Sequence, residues 1–350
     1  MQLKNNGLFV FVISIAVLVS WFPDYLFNYN TLSRALPIVS YCESGHLYFD
    51  KYESLTGDRS YINGHVYSDK APLPVFIVLP MAKLIQSAGF FSSDPNENIK
   101  LVLTLGGYVI SALPLLILMT ILFQYLEKDN SNWKNYWLAT LPFMSCFCWI
   151  YNASFYGHIF AGFLVILCYY FLEKRKLYLA GLLASFVFLT EYPPILLPVF
   201  WLLQLFIRER KSNHVLQFGI GAVPALIGLL AYNYFITGHL FTLGYDYVDP
   251  AFETMKTNYG FSWPKPDAFW GLTFSLYRGI FVYAPILLPV IILSVWKFSK
   301  LASFKAFILH AWYVPFFAYI ILISGYFMWN GGWAYGPRHL IPPLLFILFY

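Results

Sequence analysis

Residues 64–74 read G-H-V-Y-S-D-K-A-P-L-P and bring His65, Tyr67, Asp69 and Lys70 into one short stretch. A lysine at a membrane surface, ordered by Pro72 and Pro74, can hold a phosphate as a point charge. The plainer alternative is a snorkelling lysine with a local aspartate partner. Two arginines could share the anionic work: Arg278, in S-L-Y-R-G, and Arg338, in G-P-R-H, each stand where an apolar run begins. An arginine there is costly, and is kept for a partner, an anionic ligand or a lipid head group. Trp329 and Trp333 precede Arg338. Their indoles suit a sugar-stacking or lipid-facing wall, or an ordinary interfacial belt. Glu191, before Tyr192-Pro193-Pro194, can anchor a helix end or pair with Arg278 or Arg338. His158 opens another apolar run and His339 follows Arg338; a lone histidine is more often structural than a ligand-binding group. With Tyr192, these residues make up the candidate substrate contacts.

The elements that must position these groups are apolar. Of 350 residues, 59% are hydrophobic and 11% charged, where a soluble domain carries roughly a quarter charged. Repeated apolar runs predict an all-α polytopic membrane protein with about 10 spans in one domain, residues 1–350. The runs cover 8–22, 71–90, 101–126, 136–151, 157–172, 177–190, 195–207, 215–236, 269–296, 304–324 and 339–350. The first resembles a signal peptide without a small-residue cleavage site, and reads as a retained anchor. The net charge of +5 is no nucleic-acid signal, because the basic residues sit in short clusters between runs. Cys42, Cys146, Cys148 and Cys168 form no C-x-x-C pair and read as buried small residues. The sequence has no P-loop, H-E-x-x-H or G-x-S-x-G, and no acidic pair with metal spacing; neither a metal nor a cofactor is expected.

Charge placement orients the runs. Lys174–Lys176, Arg208–Lys211 and the Lys297, Lys300, Lys305 group should be cytoplasmic. With Lys4 also inside, one run must fail to cross. Residues 71–90, with Pro72, Pro74, Pro80 and Lys83, are the best candidate for a re-entrant or juxtamembrane segment. Residues 23–100 then form a long external loop with interfacial helices. The outside face collects the unusual residues, including Y-N-A-S-F-Y-G-H at 151–158 and W-N-G-G-W-A-Y-G-P-R-H at 329–339. The sequon at Asn152 lies too close to the membrane to carry weight.

The order of these pieces resembles the GT-C glycosyltransferase superfamily, in the branch of the protein mannosyltransferases and the lipid A aminoarabinose transferase. The likeness is carried by one span followed by a long external loop ending in Y-S-D-K-A-P at 67–72. It is carried also by Y-G-H at 156–158, T-E-Y-P at 190–193, Y-R-G at 277–279 and W-A-Y-G-P-R at 333–338. The resemblance implies a GT-C-like helical bundle that moves a sugar from a polyprenyl-phosphate carrier to a lipid, glycan or protein acceptor at the outer face. It implies that Lys70 contacts the carrier phosphate and that an aspartate of the first external loop is the base; Arg278 and Arg338 are expected to stabilise the charge on the same phosphate. The family's acidic pair falls near Asn30-Thr31, where neither residue is acidic, and a later family aspartate falls near His158. Asp50, Asp58 and Asp69 are the candidate substitutes, with Asp24 as an outside candidate. The expected setting is a bacterial-type inner membrane with a cytoplasmic N-terminus. The alternative is a non-enzymatic polyprenyl-lipid-binding protein or transporter, which would keep the anion site and lack a base.

Overall fold

The structure, a computed structural model, describes residues 2–20, 23–129, 132–299 and 313–350. Lys300 and Lys305 of the third basic group lie outside the described residues, as do Trp21 and Phe22. The chain is mostly helical. Among the described residues, two helices are long and apolar enough to cross a membrane, Pro95–Lys128 and Ser212–Thr237. The second turns most of its apolar surface outward, with 17% of its window buried.

Helix α1, Gln2–Ser20, leads to residues 23–100, which fold around a second core that also takes in Ile110 and Phe155. Helix α2, Tyr29–Ser44, starts on Asn28, whose side chain accepts from the Asn30 amide, and stops on Gly45 in the left-handed region. Twelve of its 16 residues are buried, so it is a core helix and not the interfacial helix expected. The segment also holds a β-hairpin that an all-α reading omits: β1, Arg59–Ile62, pairs antiparallel with β2, His65–Ser68. The turn is Asn63-Gly64, both at positive φ (53° and 83°), the dihedrals that close a two-residue hairpin with the right twist. Helix α3, Leu73–Ser87, carries Pro80 and spans 15 residues, short of the roughly 20 a bilayer crossing needs.

Helices α4, Pro95–Gly107, and α5, Leu113–Asp129, run into one another through a π-turn at Tyr108–Ala112. The loop at 152–157 presses against that widened turn: a Cβ on Gly107 would stand 1.8 Å from the Ala153 carbonyl oxygen. Ser111 Oγ donates to Ser154 O at 2.6 Å. Helix α6, Lys134–Met144, precedes that loop.

Then come α7, His158–Glu173, α8, Leu177–Thr190, α9, Leu196–Glu209, and α10, Ser212–Thr237. Apolar runs bounded by charge and by Pro193-Pro194 set these limits. Helices α7 and α8 are antiparallel, so His158 and Glu191 share one end, while Glu173 and Arg175 lie at the other, ~24 Å away at 1.5 Å per residue. There Arg208 pairs with Glu173 at 3.0 Å and Arg175 with Glu209, which brings two of the basic connections side by side. Backbones meet where α8 crosses α10: a Cβ on Gly181 would fall 1.9 Å from Phe218 O, and one on Gly221 would fall 2.0 Å from Tyr178 O. Gly221→Leu must force these helices apart and should cost at least about 1–3 kcal/mol. A thermal melt in detergent checks this, and an unchanged midpoint would count against the contact.

The run at 269–296 is not one helix. It divides into α11, Pro266–Thr273, α12, Ile280–Tyr283, and α13, Leu287–Ser299. Pro285 lacks the amide to continue, and the Ser275–Gly279 turn sets Arg278 between pieces. Helices α14, Tyr313–Ser324, and α15, Ile341–Phe349, close the bundle, α15 packing on α7. The 239–265 connection docks on the hairpin through a Ser60–Val248 bridge and the Arg59–Asp249 ion pair at 2.9 Å. All four cysteines are buried and free. Asn152 of the sequon faces inward, donating to Val19 O at 3.3 Å.

Candidate functional site

The ionisable residues gather into two neighbouring groups on the His158–Glu191 end of the bundle. The first is an ionic cluster. Lys70 Nζ lies 2.9 Å from Asp58 Oδ2 and 2.9 Å from Asp69 Oδ2. Ser33 of α2 donates to Asp69 Oδ1 at 3.1 Å and shares a hydrogen bond with Ser68. Lys70 is thus not an open cation: two carboxylates already neutralise it. Burial alone would raise Asp58, but the charge and hydrogen bond of Lys70, with Arg338 and Arg34 beyond, outweigh it and hold the carboxyl below its ordinary range. Burial is the largest influence on Asp69 and leaves it raised; Lys70 pulls it down and Asp58 pushes it up. Burial pulls Lys70 down, yet the two aspartates together lift it above its ordinary range.

Beside this cluster, Arg34 of α2 is fully buried and pairs with Glu191 Oε1 at 2.7 Å. Glu191 also stands 3.4 Å from His158 Nδ1. Among the described residues it forms no ion pair with Arg278 or Arg338. Arg338 lies over the Tyr156 ring, and Arg278 lies over Tyr277 while donating to Gly332 O at 2.8 Å. The rings of His158 and His339 meet edge to face at 5.5 Å. Tyr192 packs between Phe188 and Tyr245.

The second group is a cavity of about 700 Å³ that opens to the surface. Asp24 and Arg278 are its charged residues, and Tyr151, Tyr156, Tyr277 and Trp333 are among its walls. Asp24 is held by the loop that presses on the π-turn: its amide donates to Ala153 O at 3.3 Å, and Ser154 Oγ donates to its carboxylate at 2.5 Å. The opposite wall, residues 331–336, turns on Gly331, Gly332 and Gly336, all at positive φ. Its backbone is fixed from three distant segments. Asn28 donates to Trp333 O at 3.2 Å, Arg278 holds Gly332 O, and Tyr151 Oη both donates to Tyr335 O at 2.7 Å and accepts from its amide at 3.0 Å. The indole of Trp333 is left 92% exposed. Trp329 instead packs inward, against Gly271.

The structure therefore brings Arg278, Trp333 and Asp24 to one cavity, with Arg338 behind Tyr156. It sets Asp58, Asp69 and Lys70 in the adjoining cluster. Asp50 is elsewhere: it braces the hairpin, accepting from the Val66 amide and pairing with His65 Nδ1, each at 2.7 Å. His65 stacks on Tyr48, which also meets Tyr67 edge on. Sequence reasoning missed Arg34, and marked Tyr151 and Tyr156 as part of the 151–158 stretch without giving them a role. Arg34 had a usable signal, a lone arginine inside L-S-R-A-L-P.

Arg278 and Arg338 each bury an Nε with no partner among the described residues. Arginine planes with spare donors suit phosphate or carboxylate. A carboxylate across the cavity from such a donor can accept a proton. Among the described residues, no three His, Cys, Asp or Glu side chains converge as a metal site. Comparison with family models, curated proteins and solved structures found no match.

Proposed function

We propose that this chain is a polytopic inner-membrane glycosyltransferase with a cytoplasmic N-terminus. It moves a sugar from a polyprenyl-phosphate carrier to a cell-envelope hydroxyl on the outer face. The observation that carries this reading is the pairing of Asp24 and Arg278 in one aromatic-walled cavity. A GT-C-like bundle is the architecture to which the motifs point.

In this reading Asp24 takes the proton of the acceptor hydroxyl while that oxygen attacks the anomeric carbon. The bond from that carbon to the phosphate oxygen breaks, and its electron pair leaves with the phosphate. Arg278, with Arg338 behind it, stabilises that charge. Lys70 works indirectly, by holding Asp58 and Asp69 and so the floor beside the cavity. Transfer of labelled sugar from a polyprenyl phosphate in proteoliposomes tests the reading; no transfer to any envelope fraction, together with no carrier binding, would sink it. Arg278→Ala should weaken carrier binding by about 1.5–3 kcal/mol, roughly 10–150-fold, measured by lipid titration.

The second reading, a lipid-binding protein or transporter without a base, is favoured by one feature. Both Asp24 carboxylate oxygens already accept a hydrogen bond, from Leu26 N and from Ser154 Oγ. Translocation in liposomes without transfer would select it.

A further inference from the structure

At the end of α7 and α8 remote from the His158–Glu191 site, residues 173–176 and 208–211 carry six cations against two carboxylates. The cations are Lys174, Arg175, Lys176, Arg208, Arg210 and Lys211; the carboxylates are Glu173 and Glu209. The fold lays the two connections against each other. Arg208 takes Glu173 at 3.0 Å and Arg175 takes Glu209, which His214 approaches at 3.5 Å and Lys211 at 4.0 Å. Both carboxylates are thus occupied within the patch. Lys174 and Lys176 lie over the rings of Tyr170 and Phe171, and neither they nor Arg210 have an acidic partner among the described residues. All three are exposed. The ion pairs therefore hold three uncompensated cations close together, a repulsion that a bound anion offsets.

Apolar surface begins directly beside these charges. Tyr170 is exposed in the last turn of α7, Tyr178 and Leu179 in the first turn of α8, and Leu216 and Ile220 on α10 near its crossing with α8. A cation cluster bordered by apolar helix faces fits an amphiphile whose anionic head meets the cations and whose chains lie along the helices. We infer that this patch binds an anionic phospholipid of the cytoplasmic leaflet, with Lys174, Lys176 and Arg210 on its phosphate. The lipid is neither donor nor acceptor in the proposed transfer. The inference rests on the membrane placement proposed for the chain, which sets these connections inside.

Lipid titration of the purified full chain in detergent, read by native mass spectrometry, compares phosphatidylglycerol with phosphatidylcholine. Phosphatidylglycerol should bind more tightly. The triple variant Lys174→Gln, Lys176→Gln, Arg210→Gln should weaken it roughly 10–100-fold and leave phosphatidylcholine unchanged. Arg210→Gln alone should lose about fivefold, and is read if the triple variant misfolds. Lys51→Gln, Lys100→Gln, Lys256→Gln removes the same charge from residues 23–100 and the 239–265 connection, and should bind as the unmodified chain does. Equal affinity for the two lipids, or equal loss in both triple variants, overturns the inference. Displacement by glycerol 3-phosphate, a head group without chains, also overturns it, by showing a site for soluble phosphate. Placement is read separately with Lys211→Cys, an exposed position, and the unmodified chain as the blank because its cysteines are buried. That thiol should react with an impermeant maleimide only after spheroplasts are opened. Reaction in intact spheroplasts overturns the proposed orientation, and the inference with it. A failed lipid titration with the thiol protected overturns the inference alone.

Discussion

Asp24→Asn is expected to lower glycosyl transfer by roughly 10²–10⁴-fold while carrier binding stays as in the unmodified protein. Asparagine keeps an oxygen for the Ser154 hydroxyl, so the 152–154 loop and the cavity wall should hold. What is lost is the ability to accept the acceptor's proton. Transfer of labelled sugar at saturating carrier reads the rate, and a separate lipid titration reads the binding. Retained transfer would remove Asp24 from the chemistry and return the role of base to Asp58 or Asp69.

Lys70→Met should be the most destabilising single change among the site residues. It leaves Asp58 and Asp69 buried without their cation, and removing one partner of a buried ion pair costs about 3–5 kcal/mol. The contribution of Asp58 to the pH dependence should also change sign. In the unmodified chain Asp58 is depressed, so its contribution is present above its ordinary value of 3.8 and is lost as pH falls through the folded value. Asp69 is raised and works the other way, weakening the fold as pH rises through its folded value. Lys70 is raised, so its contribution holds below 10.5 and fades above it. Without Lys70, both carboxyls should bind protons more tightly in the folded state than in the unfolded one. The variant should then gain stability as pH falls from neutral. Thermal melts across pH check this, and adding Asp58→Asn should recover part of the loss. A variant as stable as the original at neutral pH would show that the cluster carries little.

Both expectations turn on where the sequence placed its charges. Residues 177–190 were expected as an apolar run, and α8 has the same limits, because Lys176 and Glu191 bound it. The run at 215–236 falls within α10, which starts after Lys211 and stops on Gly238 in the left-handed region. These are local signals, and a helix in a mostly apolar chain expresses them directly. The hairpin had an equally local signal in Asn63-Gly64, masked by reading residues 64–74 as one charged cluster. The site was harder because its partners are remote. Glu191 meets Arg34 across 157 residues and Tyr151 meets Tyr335 across 184, and neither spacing leaves a periodic trace. The candidate bases are aspartates of the segment after the first apolar run, and two of them, Asp58 and Asp69, are neutralised by Lys70. Asp24 makes no ion pair with the lysine and lines the same cavity as Arg278. The cation side of the site has shifted likewise, from Lys70 toward an arginine whose Nε has no partner among the described residues.

The most direct measurement is a density map of the protein in lipid with bound polyprenyl monophosphate. The expected result is the phosphate against Arg278, in the cavity that Asp24 also lines. A phosphate seated on Lys70 with Asp58 or Asp69 displaced, or a carrier bound away from the cavity, would contradict it.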